Sequence, residues 1–489
     1  MLFNTIDFVI FFIFVLSLFV VIKNRKYQHT LLLFASLFFF YYSSNYLITL
    51  LIFSTILDFY LGKEIYKSKT KSKKKFLLFL SLAGNLGMLG FFKYTDFAID
   101  QINYVLFSMN FESSIPHLDL ILPIGISFYT FQTLSYTIDI YRGNLIPSKS
   151  LREFAIFVAF FPSLVAGPII RARDFLPQLR EKINGTYNGK LKQIIIQNTN
   201  LKFGITLMAI GFFKKIFFAD NIAPLVNNIF ANPIGFDSST IFLGSIASGI
   251  QIYCDFSGYS DIAIGAAMII GIKISKNFNN PFFATSPANF WDRWHISLSS
   301  WVRDYLYYPL MFKRRKSIIV VSGTLLFTML VLGLWHGSGW NFLLFGLIHG
   351  LVISGHRLLA HIMPEKIKNP FKTKIGILFS ISITQYFVFL AWIPFRIDDS
   401  EKLFYAMGKF VFLDFQITQL LHQINLNLFS SLLIILFILL SIISFKKTDL
   451  LFRISNLKLR YWIIFMIFIM IPIFFFYDGN PEDFIYFRF

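Results

Sequence analysis

The segments FWDRWHISLSSWVRDYLYYPL, Phe290 to Leu310, and GLWHGSGWNFLLFGLIHG, Gly333 to Gly350, decide how the chain is read. A short basic break, Lys313–Lys316, and one apolar run lie between them. Asp292, Arg293, His295, Arg303 and Asp304 crowd the first segment, and His336 and His349 sit in or beside apolar runs in the second. A polar side chain held in hydrocarbon is costly and by default marks a working position. Two readings of the block stand: an active site, or a buried Arg303–Asp304 pair with histidines that only fill helix contacts.

The rest of the chain sets the medium. Of 489 residues, 56% are hydrophobic, 15% are charged and 64 are phenylalanine, and mean hydropathy is +0.63. Apolar runs recur from end to end without strand-type alternation. This predicts an all-α polytopic membrane protein with about ten to twelve transmembrane helices. The net charge of +19 is collected in breaks between apolar runs, such as Lys63–Lys75. That pattern suits cytoplasmic loops facing anionic membrane lipids, and it places both termini outside. No basic surface interleaved with aromatics offers itself to nucleic acid. Ile6–Ile22 has no basic residue before it and no small-residue cleavage pattern after it, so it reads as a retained helix. No linker, repeat or soluble insertion interrupts the chain. The expectation is one integral-membrane domain over 1–489, with a motif-bearing core at 122–361. The lone Cys254 excludes an internal disulfide.

Further polar groups in apolar runs are site candidates. Gln132, Tyr136 and Asp139 share one helical face, which would suit a polar passage. Asp255 and Asp261 lie six residues apart in one apolar run, and pairing with Arg293 or Arg303 is expected. Gly84, Gly87 and Gly90 predict a slim helix side for close packing. Lys214 and Lys215 fall inside Phe203–Phe218, which leaves that span's placement open. Arg180–Lys202 is expected to be a loop or an interfacial helix, and Asp96–Leu118 a separate surface helix and loop.

The chemistry centres on histidine. Burial favours a neutral imidazole, which is a fit base for a hydroxyl nucleophile. His336 lies between Trp335 and Gly337, with Asn341 shortly after. Asp292 and Ser299 stand at i−3 and i+4 from His295 and are candidates to orient its ring. His349 is thirteen residues beyond His336, on nearly a different face. A metal would need His295, His336, His349 and an aspartate, but no close ligand pair exists, so no metal is expected. A transporter of a polar solute is the non-enzyme alternative.

At these segments the chain resembles the membrane-bound O-acyltransferase family, in its bacterial polysaccharide branch. The resemblance rests on NLGMLGFFKY, LPIGISFYTFQTLSYTIDIYRG, FPSLVAGPIIRARDFLPQL and QIYCDFSGYSDIAIG as well as the two opening segments. It implies a ring of helices around a central funnel in the bacterial cytoplasmic membrane. It implies acetyl transfer from cytoplasmic acetyl-CoA, with no permanently bound cofactor, to an extracytoplasmic polysaccharide hydroxyl. His336 would be the general base and His295 its counterpart. The partner it implies is a separate extracytoplasmic SGNH-type acetyltransferase that completes transfer to the glycan. Acyl or D-alanyl transfer from a carrier-protein thioester is the alternative.

Overall fold

A computed structural model describes all residues except 2, 112–113, 166, 184–185, 312–316, 365–368, 415, 478–483 and 485–489. The basic break Lys313–Lys316 therefore lies outside the described residues. The fold is almost wholly helical. Seven segments are long and apolar enough to cross a membrane, and the first, Arg25–Lys67, contains two helices, Arg25–Ser44 and Ile48–Lys67. The protein is a multi-pass membrane protein. Ile6–Val21 adds a shorter apolar helix. The described residues fall into two compact units, Met1–Met208 with Ile262–Ser275, and Ala209–Asp261 with Lys276–Phe489.

In the first unit, hydrocarbon forces buried polar groups to satisfy one another. Asp58 accepts hydrogen bonds from Ser81 Oγ at 2.6 Å and Asn85 Nδ2 at 2.9 Å. Asn85 Oδ1 in turn accepts from Ser54 Oγ at 2.5 Å and Thr133 Oγ1 at 3.3 Å. The cluster ties together the helices Ile48–Lys67, Lys71–Ser108 and Ile126–Tyr141. Lys71–Ser108 is one helix, not a span followed by a separate surface helix. No proline breaks it, and Asn110 in the left-handed region (φ 62°) follows its end. The returning chain is then fastened to the helix: Asp96 accepts from Leu118 N at 2.8 Å, and Asn103 Oδ1 accepts from Ile115 N at 2.7 Å. Of the three spaced glycines only Gly84 faces a neighbour, since its missing Cβ would lie 2.6 Å from Leu57, while Gly87 and Gly90 meet nothing within 4 Å. The stretch after Arg180 is an antiparallel hairpin, Arg180–Ile183 with Thr186–Leu191, rather than a loop or helix.

In the second unit the helices Ile318–His336 and Trp340–Ile362 form a tight hairpin. Ser317 caps the first, accepting from Val320 N at 3.4 Å. The connecting Gly337 lies against Phe342, and a Cβ there would be 2.0 Å from the ring. Gly346 lets the backbones meet, because its Cβ would stand 2.4 Å from the Met329 carbonyl. A separate apolar core joins Ile222, Val226 and Ile229 to Ile250, Ile393, Phe410 and Ile434.

These contacts give a paired prediction. Gly346→Ala must push the two backbones apart and should cost about 1–3 kcal/mol. Gly87→Ala meets open space, removes backbone freedom from the unfolded chain and should not destabilise. Thermal unfolding of both variants in detergent checks the contrast.

Candidate active site

The motif segment Phe290–Leu310 is not one helix. Pro287–Trp291 is a single turn, with Ser286 at its N-cap accepting from Asn289 N at 3.1 Å. The chain then turns sharply, and His295 adopts left-handed backbone angles, φ 42° and ψ 55°, before Ile296–Val302 begins. For a residue with a Cβ this conformation costs roughly 1–2 kcal/mol. Two backbone bonds hold the turn against the preceding loop, Ile296 N to the Asn277 carbonyl at 2.8 Å and Asn279 N to the Arg293 carbonyl at 2.9 Å.

That zipper puts Asn277 beside the imidazole. The hydrogen-bond network assigns both groups. Ser297 N–H and Ser297 Oγ donate to Asn277 Oδ1 at 3.2 and 2.9 Å, and a backbone N–H can only donate. Asn277 Nδ2 donates to Ser260 Oγ at 3.1 Å. The atom facing His295 Nδ1 at 3.1 Å is therefore an oxygen, so Nδ1 carries the proton and donates. In the neutral ring, Nε2 is then left with the basic lone pair. Burial holds this imidazole neutral, pushing it down from 6.5 to about 3.

The structure corrects the choice of orienting group. Asp292 is exposed, with no hydrogen bond to the ring. Ser299 Oγ donates to the backbone carbonyls of Trp294 and His295 at 3.0 and 3.1 Å, not to the imidazole. At i−3 and i+4 both were placed by helical spacing, but His295 lies at a helix boundary where that spacing fails. Asn277, in the loop that precedes the motif segment, takes the role.

His336 ends the 318–336 helix and is 3% exposed. Its ring is enclosed by aromatics, with centroids 4.9 Å from Trp335, 5.3 Å from Phe345 and 5.3 Å from Phe395. Trp335 also contacts His295, at 6.2 Å, so the two motif histidines share one indole. His349 joins the same cluster, edge-on to Phe345 at 4.7 Å, near Trp291 at 5.0 Å and stacked on Phe290 at 6.1 Å. Thus His336 and His349 share Phe345 despite their sequence separation. Asn341 Nδ2 donates to the Pro394 carbonyl at 3.0 Å and ties the hairpin to the helix Lys374–Arg396.

Asp255 and Asp261 pair with lysines, not with Arg293 or Arg303. Lys215 Nζ lies 2.8 Å from both Asp255 and Asp220, and Lys214 Nζ lies 2.6 Å from Asp261. The lysines occupy a π-helical turn, Phe213–Ala219. Such turns are rare and frequent at functional sites. The sequence signal was there, as two adjacent lysines inside an apolar run upstream of a run with two aspartates. Arg293 instead donates to Asn289 Oδ1 at 3.0 Å and the Asn279 carbonyl at 3.2 Å. Arg303 pairs with Asp304 at 3.2 Å, but the pair is partly exposed rather than buried. Gln132 is fully buried in the first unit, and its side-chain amide has no hydrogen-bond partner among the described residues. Among the described residues no group of three or more metal-ligating side chains occurs.

Fold and site together define a multi-pass membrane protein with a centre of buried, aromatic-enclosed histidines. The membrane-bound O-acyltransferase family model matches residues 144–393. The chain is 34% identical to the peptidoglycan O-acetyltransferase of Helicobacter pylori, over 71% of this chain and 67% of that one. It is 35% identical to the probable alginate O-acetylase AlgI of Azotobacter vinelandii, over 80% of this chain and 74% of that one. With the teichoic acid D-alanyltransferase of Bacillus subtilis it shares 30% identity, over 49% of this chain and 60% of that one. The chain belongs to the membrane-bound O-acyltransferase family, and it is an acyltransferase.

The His295 environment sets a pH dependence. Its folded pKa lies below the unfolded value, so the unfolded chain binds the proton more tightly. The stability this neutral ring supports is fully present above pH 6.5 and is lost as pH falls towards about 3. The slope for one such group is about 1.4 kcal/mol per pH unit. Wild-type protein should therefore lose more stability than His295→Gln on acidification from about pH 7 to about pH 5. Denaturant unfolding at the two pH values checks this.

Proposed function

We propose that this protein moves an acetyl group from cytoplasmic acetyl-CoA to a hydroxyl on the outer side of the bacterial cytoplasmic membrane, for modification of a cell-envelope polysaccharide. The observation that carries the reading is that His295 and His336, both buried, contact the same indole, Trp335. His336 takes the proton of the acceptor hydroxyl as the oxygen attacks the thioester carbonyl. The tetrahedral intermediate collapses by breaking the C–S bond. The thiolate of CoA receives the proton from the imidazolium, which returns His336 to its neutral form. Atoms and protons balance without an external acid. His295, with Nδ1 committed to Asn277, offers Nε2 to the bound reactants.

Two relatives named for polysaccharide O-acetylation align over 71% and 80% of this chain. The D-alanyltransferase aligns over 49%. That difference favours acetyl over D-alanyl transfer. The acceptor hydroxyl belongs to the serine of an SGNH-type extracytoplasmic partner, which hands the acetyl group on to the polymer. A hydroxyl on one side chain enters a helix-lined site more easily than a branched glycan does. The excess of lysine around Lys63–Lys75 supports a reading with that loop inside and the N-terminus outside.

His336→Ala should lower acetyl transfer about a hundred- to ten-thousand-fold, the usual range for general base catalysis. The measurement uses purified protein in liposomes, radiolabelled acetyl-CoA on one side, and the glycan with or without an SGNH-type partner on the other. Unchanged transfer by the variant overturns the role of His336. Efficient polymer acetylation without the partner overturns the relay, and transfer from an acylated carrier protein but not from acetyl-CoA overturns the donor.

A further inference from the structure

Three polar nitrogens in the aromatic cluster have no hydrogen-bond partner among the described residues: His349 Nε2, Trp291 Nε1 and Trp392 Nε1. Their residues are 4%, 6% and 2% exposed. An indole N–H is a donor only, and a buried donor is rarely left unmade unless something else supplies its acceptor. The three belong to one chain of ring contacts. Phe345 contacts His349 at 4.7 Å and Trp392 at 5.8 Å, and Trp291 meets His349 at 5.0 Å. The same Phe345 contacts His336 at 5.3 Å, and Phe395 contacts both His336 and Trp392 at 5.3 Å. The elements that carry them differ: the turn Pro287–Trp291, the helix Trp340–Ile362 and the helix Lys374–Arg396. Two indole N–H donors and one imidazole nitrogen, carried on three separate elements, thus lie in one apolar cluster.

We propose that His349, Trp291 and Trp392 form a donor set for the carbonyl oxygen of the transferred acyl group. The inference rests on the acyl-transfer reading above and names the residues that would stabilise its charge. As the acceptor oxygen bonds to the carbonyl carbon, the C=O π pair moves onto oxygen. His349 Nε2–H and the two indole N–H groups donate to that oxygen, and no covalent bond to them forms or breaks. When the C–S bond breaks, the electron pair returns and the carbonyl re-forms. Dry aromatic walls make each donor worth more than it is in water. The ligand class is therefore a carbonyl acceptor, ester or thioester.

The test separates this role from packing. His349→Phe keeps an aromatic ring and removes a buried polar atom that has no hydrogen-bond partner among the described residues. Its melting temperature should hold or rise, while kcat for acetyl transfer falls about a hundred- to a thousand-fold, as for other lost oxyanion donors. KM for acetyl-CoA should change little. His349→Gln, which restores an N–H at similar reach, should recover part of kcat. Trp392→Phe and Trp291→Phe should each lower kcat in the same sense. If the wild type transfers acetyl and His336→Ala does not, but His349→Phe retains full kcat, this inference fails and the acyl-transfer reading stands. If kcat and melting temperature fall together in His349→Phe and His349→Gln recovers neither, the role is structural and the inference fails. A wild type that transfers no acyl group from any thioester overturns both.

Discussion

An imidazole placed in an apolar interior keeps its proton only if something compensates the charge, and here the walls around the histidines are aromatic. Phe256 lies edge-on to His295 at 4.6 Å, and Phe345 and Phe395 enclose His336. With the charged form disfavoured, the neutral ring must still be told which nitrogen holds its proton. Asn277 does this for His295. Its amide is itself fixed by Ser297 and Ser260, so a chain of neutral hydrogen bonds sets the basic nitrogen without placing a carboxylate against the ring. A carboxylate there would favour the imidazolium and raise the ring's affinity for a second proton.

The charged groups of the second unit are used elsewhere. Lys214 and Lys215 meet Asp261, Asp255 and Asp220 in one cluster of ion pairs. Removing a single member would leave its partner's charge buried without that ion pair, which is typically more costly than the pair is worth. The π-helical turn over Phe213–Ala219 gives the lysines their placement. Gly258 brings the facing helix close, since a Cβ there would lie 2.7 Å from the Gly211 carbonyl. That same facing helix, Ser238–Ile269, also carries Phe256 and Ser260, the groups that touch His295 and Asn277. One helix thus carries both the ion-pair cluster and the support of the imidazole, so the pairs contribute to the site by fixing the helix.

Much of this was legible in the residues. The apolar runs gave the helical membrane class, because period and length are read directly from sequence. The histidines stood out because polar groups are rare in such runs. What was not legible depended on where the chain turns. Helical spacing around His295 pointed to Asp292 and Ser299, but a left-handed residue at that position rotates both away. Asp255 and Asp261 were expected to seek arginines, since Arg293 and Arg303 lie in the motif itself. The lysines that pair with them come from an irregular helical turn that hydropathy does not register. Gly84 packs while Gly87 and Gly90 face open space, although all three share a spacing, because spacing gives no information on which neighbour arrives.

The proton balance of acyl transfer explains why so few charged groups are required. In the proposed transfer from a thioester, the proton leaving the hydroxyl is the proton that the departing thiolate needs, so one neutral base could accept and return it. The remaining demand is for the negative charge that develops on the carbonyl oxygen during the step. Lysine or arginine would meet that demand, but a permanent cation inside aromatic walls would carry the full cost of desolvation in every state of the cycle. Neutral N–H donors carry a much smaller cost, and they act most strongly at the moment the oxygen becomes charged. A site of imidazoles and indoles, with Lys214 and Lys215 held in ion pairs, is therefore an arrangement that the proposed transfer favours.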